Sequence, residues 1–298
     1  MSFYQVNPIQ AEKLYNIHSD KKLFYTGCGV SYNQRYYNKY GTAILEKDKF
    51  NILNYGYIKK NNGYNFETSI YKDYSTVIKI QDGCYHNCSY CIIHKLRTHY
   101  TVPYSKIKYQ ISEYIKQGNK CFTLFGTDIC SYNYDGMCLT DLCKKLLEEI
   151  PEIECIILDN IDPASEELDK LIEYIKVEPK IYNHLPLSVQ SCSDTILKAM
   201  NRRHDSNRIR ELNKLCEDKV FLEFEIIVGF PGETEELFLE TIDTLNKIKF
   251  TKIHTFPYSK RNGTKAASML NHIDGTTKKC RVKEVLILSD KYESEFYQ

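Results

Sequence analysis

Asp82-Gly83-Cys84-Tyr85-His86-Asn87-Cys88-Ser89-Tyr90-Cys91 follows directly on a short apolar run, Val77–Ile80, and decides the reading of the chain. Cysteines spaced C-x3-C-x2-C can place three thiolates on three corners of an iron–sulfur cube from one loop. The loop offers no fourth cysteine, so one iron stays open. A structural zinc ion asks for four closed ligands, and His86, lying between two of the cysteines, is poorly placed to add one. Cys84, Cys88 and Cys91 are therefore the expected metal ligands, holding a [4Fe–4S] cluster.

Outward from this loop, short apolar runs alternate with helical patterns. Val77–Ile80, Cys121–Phe125, Cys155–Leu158, Leu185–Val189, Val220–Val228 and Lys252–Phe256 read as strands. Between them, apolar residues recur at three- and four-residue steps: Ile107, Ile111 and Ile115 before Gly118; Leu142, Leu146 and Ile150; Leu168, Leu171, Ile172 and Ile175; Ile209, Leu212 and Leu215; Phe238, Ile242 and Leu245. Strands joined through helices pair in parallel with right-handed crossovers. Six are too few for a closed eight-stranded barrel and suit an open one, an α/β fold of (β/α)6 type. In such sheets the chemistry lies at the carboxyl ends of the strands. On the fifth strand Glu223 and Glu225 share one face, Leu222, Phe224 and Ile226 the other. The two carboxylates are expected to point into a wet interior.

Residues 1–75 form a Tyr- and Asn-rich piece with one strand-like run, Lys22–Thr26, and the last residues read as a helix through Val282, Val285, Leu286 and Leu288. The expected division is 1–75, a core over 76–275 and a C-terminal helix over 276–298. Of the 298 residues 42% are hydrophobic and 27% charged, with 40 Lys+Arg against 39 Asp+Glu. That near-balance lacks the basic excess of a dedicated nucleic-acid binder. No apolar run approaches the ~18 residues of a membrane span, and no secretory signal is readable. A cytoplasmic protein without membrane contact is expected. There, twelve cysteines point to metal or catalysis rather than disulfides.

The cluster loop resembles the signature of the radical S-adenosylmethionine (SAM) superfamily. The resemblance implies that the open iron binds SAM, and that one electron splits it to methionine and a 5′-deoxyadenosyl radical that abstracts hydrogen from substrate. Tyr90 would pack near the adenine. Further segments resemble the methylthiotransferase family: Ile80–Cys84 with Cys91–Ile93, Phe125–Tyr132, Leu187–Asp194 with Met200–Arg203, Ile226–Thr234 and Phe256–Thr264. Gly126, Thr127, Asp128, Gln190, Ser191 and Gly229 are the cofactor-side positions this implies. Arg202 is expected to clamp the SAM carboxylate, since Arg grips carboxylates bidentately.

The chain departs from that family in two places. Its members carry an auxiliary iron–sulfur cluster on three cysteines of an N-terminal domain, of which only the segment around Cys28 has a counterpart here. They often end in a small RNA-gripping barrel, which this chain, read only to residue 298, is expected to lack. Cys130 and Cys192 stand where glycine is usual, so Cys28, Cys130 and Cys192 are the expected ligands of a rebuilt auxiliary cluster that delivers sulfur. Cys121, Cys143, Cys155 and Cys216 fall on strand or helix positions and are expected to be packing residues. The implied activity is insertion of a methylthio group at a C–H bond of a tRNA base or of a peptide or protein, with an electron donor such as flavodoxin or ferredoxin. The alternatives are a single-cluster radical enzyme that crosslinks or epimerises a peptide, and a non-catalytic iron–sulfur regulator.

Overall fold

The computed structural model describes residues 75–296 and two short strands, β1 (Phe24–Tyr25) and β2 (Thr42–Ala43), which pair in parallel. The chain divides into two units, Met1–Ser69 with Lys95–Arg97, and Ile70–His94 with Thr98–Gln298. The second carries the strands β3 (Thr76–Lys79), β4 (Gln81–Asp82), β5 (Tyr100–Thr101), β6 (Cys121–Phe125), β7 (Cys155–Leu158), β8 (His184–Gln190), β9 (Phe221–Val228) and β10 (Lys252–Pro257). Its helices are labelled α1 (Tyr104–Lys116), α2 (Leu139–Glu149), α3 (Glu167–Ile175), α4 (Asp194–Ala199), α5 (Ser206–Cys216), α6 (Glu235–Leu245) and α7 (Gly275–Phe296).

Two parallel three-stranded sheets, β3-β6-β7 and β8-β9-β10, run in sequence order. They meet at β7 and β8 through two isolated parallel bridges, Ile156 with Ile181 and Ile161 with Leu187. The result is the expected six-stranded open arrangement, with a seam between its halves. The strands alternate as a one-sided burial pattern demands. On β9, Leu222, Phe224, Ile226 and Val228 are buried, while Phe221, Glu223, Glu225 and Ile227 are only partly so. The helices cover the apolar face. In α3, Leu168, Leu171, Ile172 and Ile175 are all buried, each worth about 1.5–3 kcal/mol relative to exposure. Asp205 caps α5 by accepting the Arg208 N–H at 2.9 Å, and Thr234 caps α6 at Leu237.

On the opposite face the carboxylates find partners. Glu225 accepts the Ser188 hydroxyl at 2.8 Å. Glu223 lies between His184, 3.5 Å away, and His254, 3.4 Å away. Burial works against the Glu223 charge, but the two histidines outweigh it and hold the carboxyl well below its ordinary range.

Candidate functional site

The cluster loop leaves β4 and is closed behind by the antiparallel pairing of Gln81–Asp82 with Tyr100–Thr101. Its turn requires glycine: Gly83 has φ +66°, and a Cβ there would collide with the Thr98 carbonyl. The rest of the loop is tied to later segments. Ser89 donates its N–H to the Met200 carbonyl at 2.9 Å and its hydroxyl to the Ala199 carbonyl at 2.8 Å, and the Ala266 N–H donates to the Ser89 carbonyl at 2.7 Å. Gln81 joins the loop to the end of β6. Its amide donates to the Gly83 carbonyl at 2.6 Å, and its Oε1 accepts the N–H groups of Thr127 at 2.8 Å and Asp128 at 3.0 Å.

Within the loop, Cys84 Sγ accepts the His86 N–H at 3.3 Å. Burial pushes the Cys84 thiol up to about 12, aided by the Asp128 carboxylate and by the Cys88 and Cys91 sulfurs. The three thiols thus already feel one another, and bound iron would reverse that penalty by making thiolates the favoured form. Tyr90 packs beside Met200, Phe230 and Tyr258, and its phenol is pushed up by burial.

Two residues set the charge around the loop. Arg202 Nη1 points at Cys88 Sγ from 3.6 Å, while Nη2 donates to Asp162 Oδ1 at 2.8 Å and to the Ser188 carbonyl at 2.7 Å. Asp162 Oδ2 also accepts from Arg203 at 2.7 Å and lies 3.3 Å from His86 Nε2. Burial would raise the Asp162 carboxyl, but Arg202, Arg203 and His86 prevail and hold it below its usual value.

Among the described residues, the ligand atoms of Cys84, His86 and Asp128 converge within 4.8 Å of one another, as a single ion would require. His86 is, however, already engaged by Asp128 at 2.9 Å and by the Arg203 guanidinium at 3.0 Å. A fixed cation at that distance opposes a second one.

The other expected positions divide into two groups. Thr127 Oγ1, Asp128 Oδ1 and Arg202 Nε are buried with no hydrogen-bond partner, as is the Tyr258 hydroxyl. Gly126, Gln190, Ser191 and Gly229 serve the frame. A Cβ on Gly126 would fall 2.8 Å from Gln81 Oε1. Gln190 adopts φ +72° and reaches Glu225. Ser191 Oγ contacts Thr241 at 3.2 Å. Gly229, at φ +71°, gives its N–H to the Glu233 carboxylate.

Cys130 is 7% exposed and feels Asp128, Asp162 and Ser165, whereas Cys192 is 2% exposed and feels Arg210 and Asp194. Both lie in the apolar core, and burial pushes both thiols up. Cys28 lies outside the described residues. Sequence reasoning did not single out Asp162, Arg203 or Asn160, whose amide donates to the Gly126 carbonyl at 2.7 Å. Asn160 and Asp162 follow directly on β7, so the strand-end rule alone could have drawn attention to them.

Residues 78–245 match the model of the radical SAM superfamily. The tRNA-2-methylthio-N(6)-dimethylallyladenosine synthase of Fusobacterium nucleatum is 37% identical over 235 residues, covering 76% of this chain and 54% of its own. The ribosomal protein uS12 methylthiotransferase RimO of Alkaliphilus oremlandii is 30% identical over 301 residues, covering 92% and 67%. Among solved structures, coproporphyrinogen III oxidase (HemN) from Escherichia coli, a radical SAM enzyme, superposes with a TM-score of 0.52 at 16% identity, over 73% of this chain and 52% of its own. The chain spans about half the length of the first of these relatives. With the cluster loop, the six parallel strands and these matches together, the chain belongs to the radical SAM superfamily, in its methylthiotransferase branch.

Proposed function

We propose that the protein is a methylthiotransferase-like radical SAM enzyme acting on a tRNA base. The observation that carries this is the loop of Cys84, Cys88 and Cys91 at the carboxyl ends of the strands, with the Arg202 guanidinium trained on the Cys88 sulfur. The residues fit the group: three thiols with no fourth beside them in the loop, and unpartnered buried atoms on Thr127, Asp128 and Arg202 where a polar cofactor would complete their hydrogen bonds. When bound, a [4Fe–4S] cluster with SAM on its open iron would supply reductive cleavage of SAM and the radical that takes a substrate hydrogen.

The chain's own part is to hold and orient. Cys84, Cys88 and Cys91 would ligate the cluster, and Arg202 would stabilise the Cys88 thiolate. Asp162 fixes that arginine, leaving Arg202 Nε as the donor still open to a carboxylate. Tyr90, partly buried, backs onto the apolar cluster of Met200, Phe230 and Tyr258 beside the loop. Gln81, through Thr127 and Asp128, keeps the loop in register with β6.

The tRNA substrate is favoured by the name of the relative at 37% identity, while a protein side chain is the substrate that the name of the RimO relative gives. Anaerobic reconstitution with iron, sulfide, SAM and reductant should yield 5′-deoxyadenosine, and should yield none in Cys84→Ala. Added tRNA should then gain a methylthio group, with affinity falling steeply as salt rises. Unmodified tRNA alongside a modified peptide would move the substrate assignment to protein.

The burial of Cys130 and Cys192 favours a second reading, a single-cluster radical enzyme without sulfur insertion. Iron per chain separates the two: about eight atoms if Cys28, Cys130 and Cys192 carry an auxiliary cluster, about four if they do not.

A further inference from the structure

Cys121 and Cys155 are the first residues of β6 and β7 and stand opposite each other in the parallel register. They lie at the amino ends of strands whose carboxyl ends carry Gly126–Asp128 and Asn160–Asp162. On each strand the next residue, Phe122 or Ile156, is fully buried in the core, so by alternation the two cysteines share the other face. Both are half-buried, unlike Cys143 and Cys216, which are fully enclosed. Packing therefore accounts for the second pair and not for the first. The Cys121 sulfur helps push the Cys155 thiol above its ordinary range, and the adjoining Ile156 carbonyl accepts the Tyr182 N–H at 2.8 Å. Neighbouring strands run about 4.7–4.9 Å apart, inside the Cα separation of about 4.4–6.8 Å that a disulfide spans.

We propose that Cys121 and Cys155 form a redox-active dithiol, a modification site at the amino end of the barrel that closes reversibly to a disulfide in exchange with a small-molecule disulfide. The exchange balances without any other reactant. The Cys121 thiolate attacks the small disulfide and releases one thiol, leaving a mixed disulfide on Cys121. The Cys155 sulfur then attacks the Cys121 sulfur and releases the second thiol. Two thiol protons leave the protein with two electrons, and the small disulfide is reduced to two thiols. Burial and the neighbouring sulfur hold the Cys155 thiol at about 11, which disfavours it as the first nucleophile and assigns it the resolving step. The flanking charges, Lys120 and Glu154, are paired with each other and leave the dithiol without a charge of its own to answer. Closure would bolt β6 to β7 at the end remote from the cluster loop.

The full chain, reconstituted anaerobically, is equilibrated with mixtures of glutathione and glutathione disulfide, alkylated and mapped by peptide mass spectrometry. The expected result is a linked pair of peptides containing Cys121 and Cys155, lighter by two hydrogens, growing with the disulfide fraction and lost on reduction. In Cys155→Ser a glutathione adduct should accumulate on Cys121 instead. Separate alkylation of both cysteines at every ratio, or a stable link from either one to a different cysteine, would overturn the proposal. Should the serine variant fail to fold, the map of the unaltered chain decides by itself.

Discussion

Asp162 illustrates what a single carboxylate does here: it holds Arg202 and Arg203 together and faces His86 of the cluster loop. Replacing one partner of a buried ion pair costs about 3–5 kcal/mol, because the other charge is left without compensation. Asp162→Asn should therefore lower unfolding free energy by about that amount in a denaturant titration and reduce iron retention with it. A loss below about 1 kcal/mol would mean that Arg202 has other support. His204 gives a residue-scale pH dependence. It is buried against the Val189 carbonyl, and burial, with the Arg202 charge, lowers its pKa to about 4. Above the ordinary histidine value both folded and unfolded states leave it neutral and it contributes nothing. As the pH falls from about 6.5 toward 4, only the unfolded chain takes the proton, so the fold loses stability. Between pH 7 and 5 the loss should be about 2 kcal/mol, and largely absent in His204→Gln; equal losses in both proteins would refute the assignment. The cysteine triad was legible because its ligands lie within eight residues. Asp162 was not, because its partners are some 40 residues or more away in either direction, a pairing that only the fold creates.

The turn after β9 and the C-terminal helix show the same contrast among elements. Gly229–Gly232 carries the chain from β9 to α6, and Glu233, Glu235 and Glu236 follow it at the positive N-terminal end of that helix. In the structure Glu233 folds back to accept the Gly229 N–H, and Arg281 of α7 donates to it at 2.8 Å in a pair that is almost fully buried. The helix is thereby riveted to the turn. Arg281→Met should destabilise the protein by about 3–5 kcal/mol, and Glu233→Gln in that background should restore part of the loss by removing the orphaned charge. A second mutation with no restoring effect would show that the pair is not the rivet. At the other end, Gly126→Ala should press the new methyl on Gln81 and weaken the N–H bonds that Gln81 accepts from Thr127 and Asp128. The expected cost is about 1–3 kcal/mol, read by thermal unfolding, with a parallel drop in bound iron. Strand and helix positions were legible from periodicity; β6 and β7 fall where the sequence places them. Which glycines meet side chains and which turn an anion inward was not, since both depend on approaches across elements.

For the molecule as a whole, the order of strands and the parallel topology were legible from the alternation of strand and helix, but the division of the sheet was not. Both β7 and β8 carry buried apolar residues, yet among the described residues only two isolated bridges join them. Amide hydrogen exchange should register this boundary. The Ile156, Ile161, Tyr182 and Ser188 amides, which make the bonds across it, should exchange faster than amides within β8-β9-β10; uniform protection over all six strands would argue for one cooperative unit. Arg202 then takes on a second meaning. By holding Asp162 beyond the end of β7 and the Ser188 carbonyl of β8 together, it clasps the seam at the mouth where the proposed cofactor would bind. A ligand that favours the clasped form stabilises it by RT ln(1 + [L]/Kd), so SAM should slow exchange along the seam far from any atom it touches. The barrel would thus be two foldons latched by its own cofactor site, tighter when loaded and readier to part when empty.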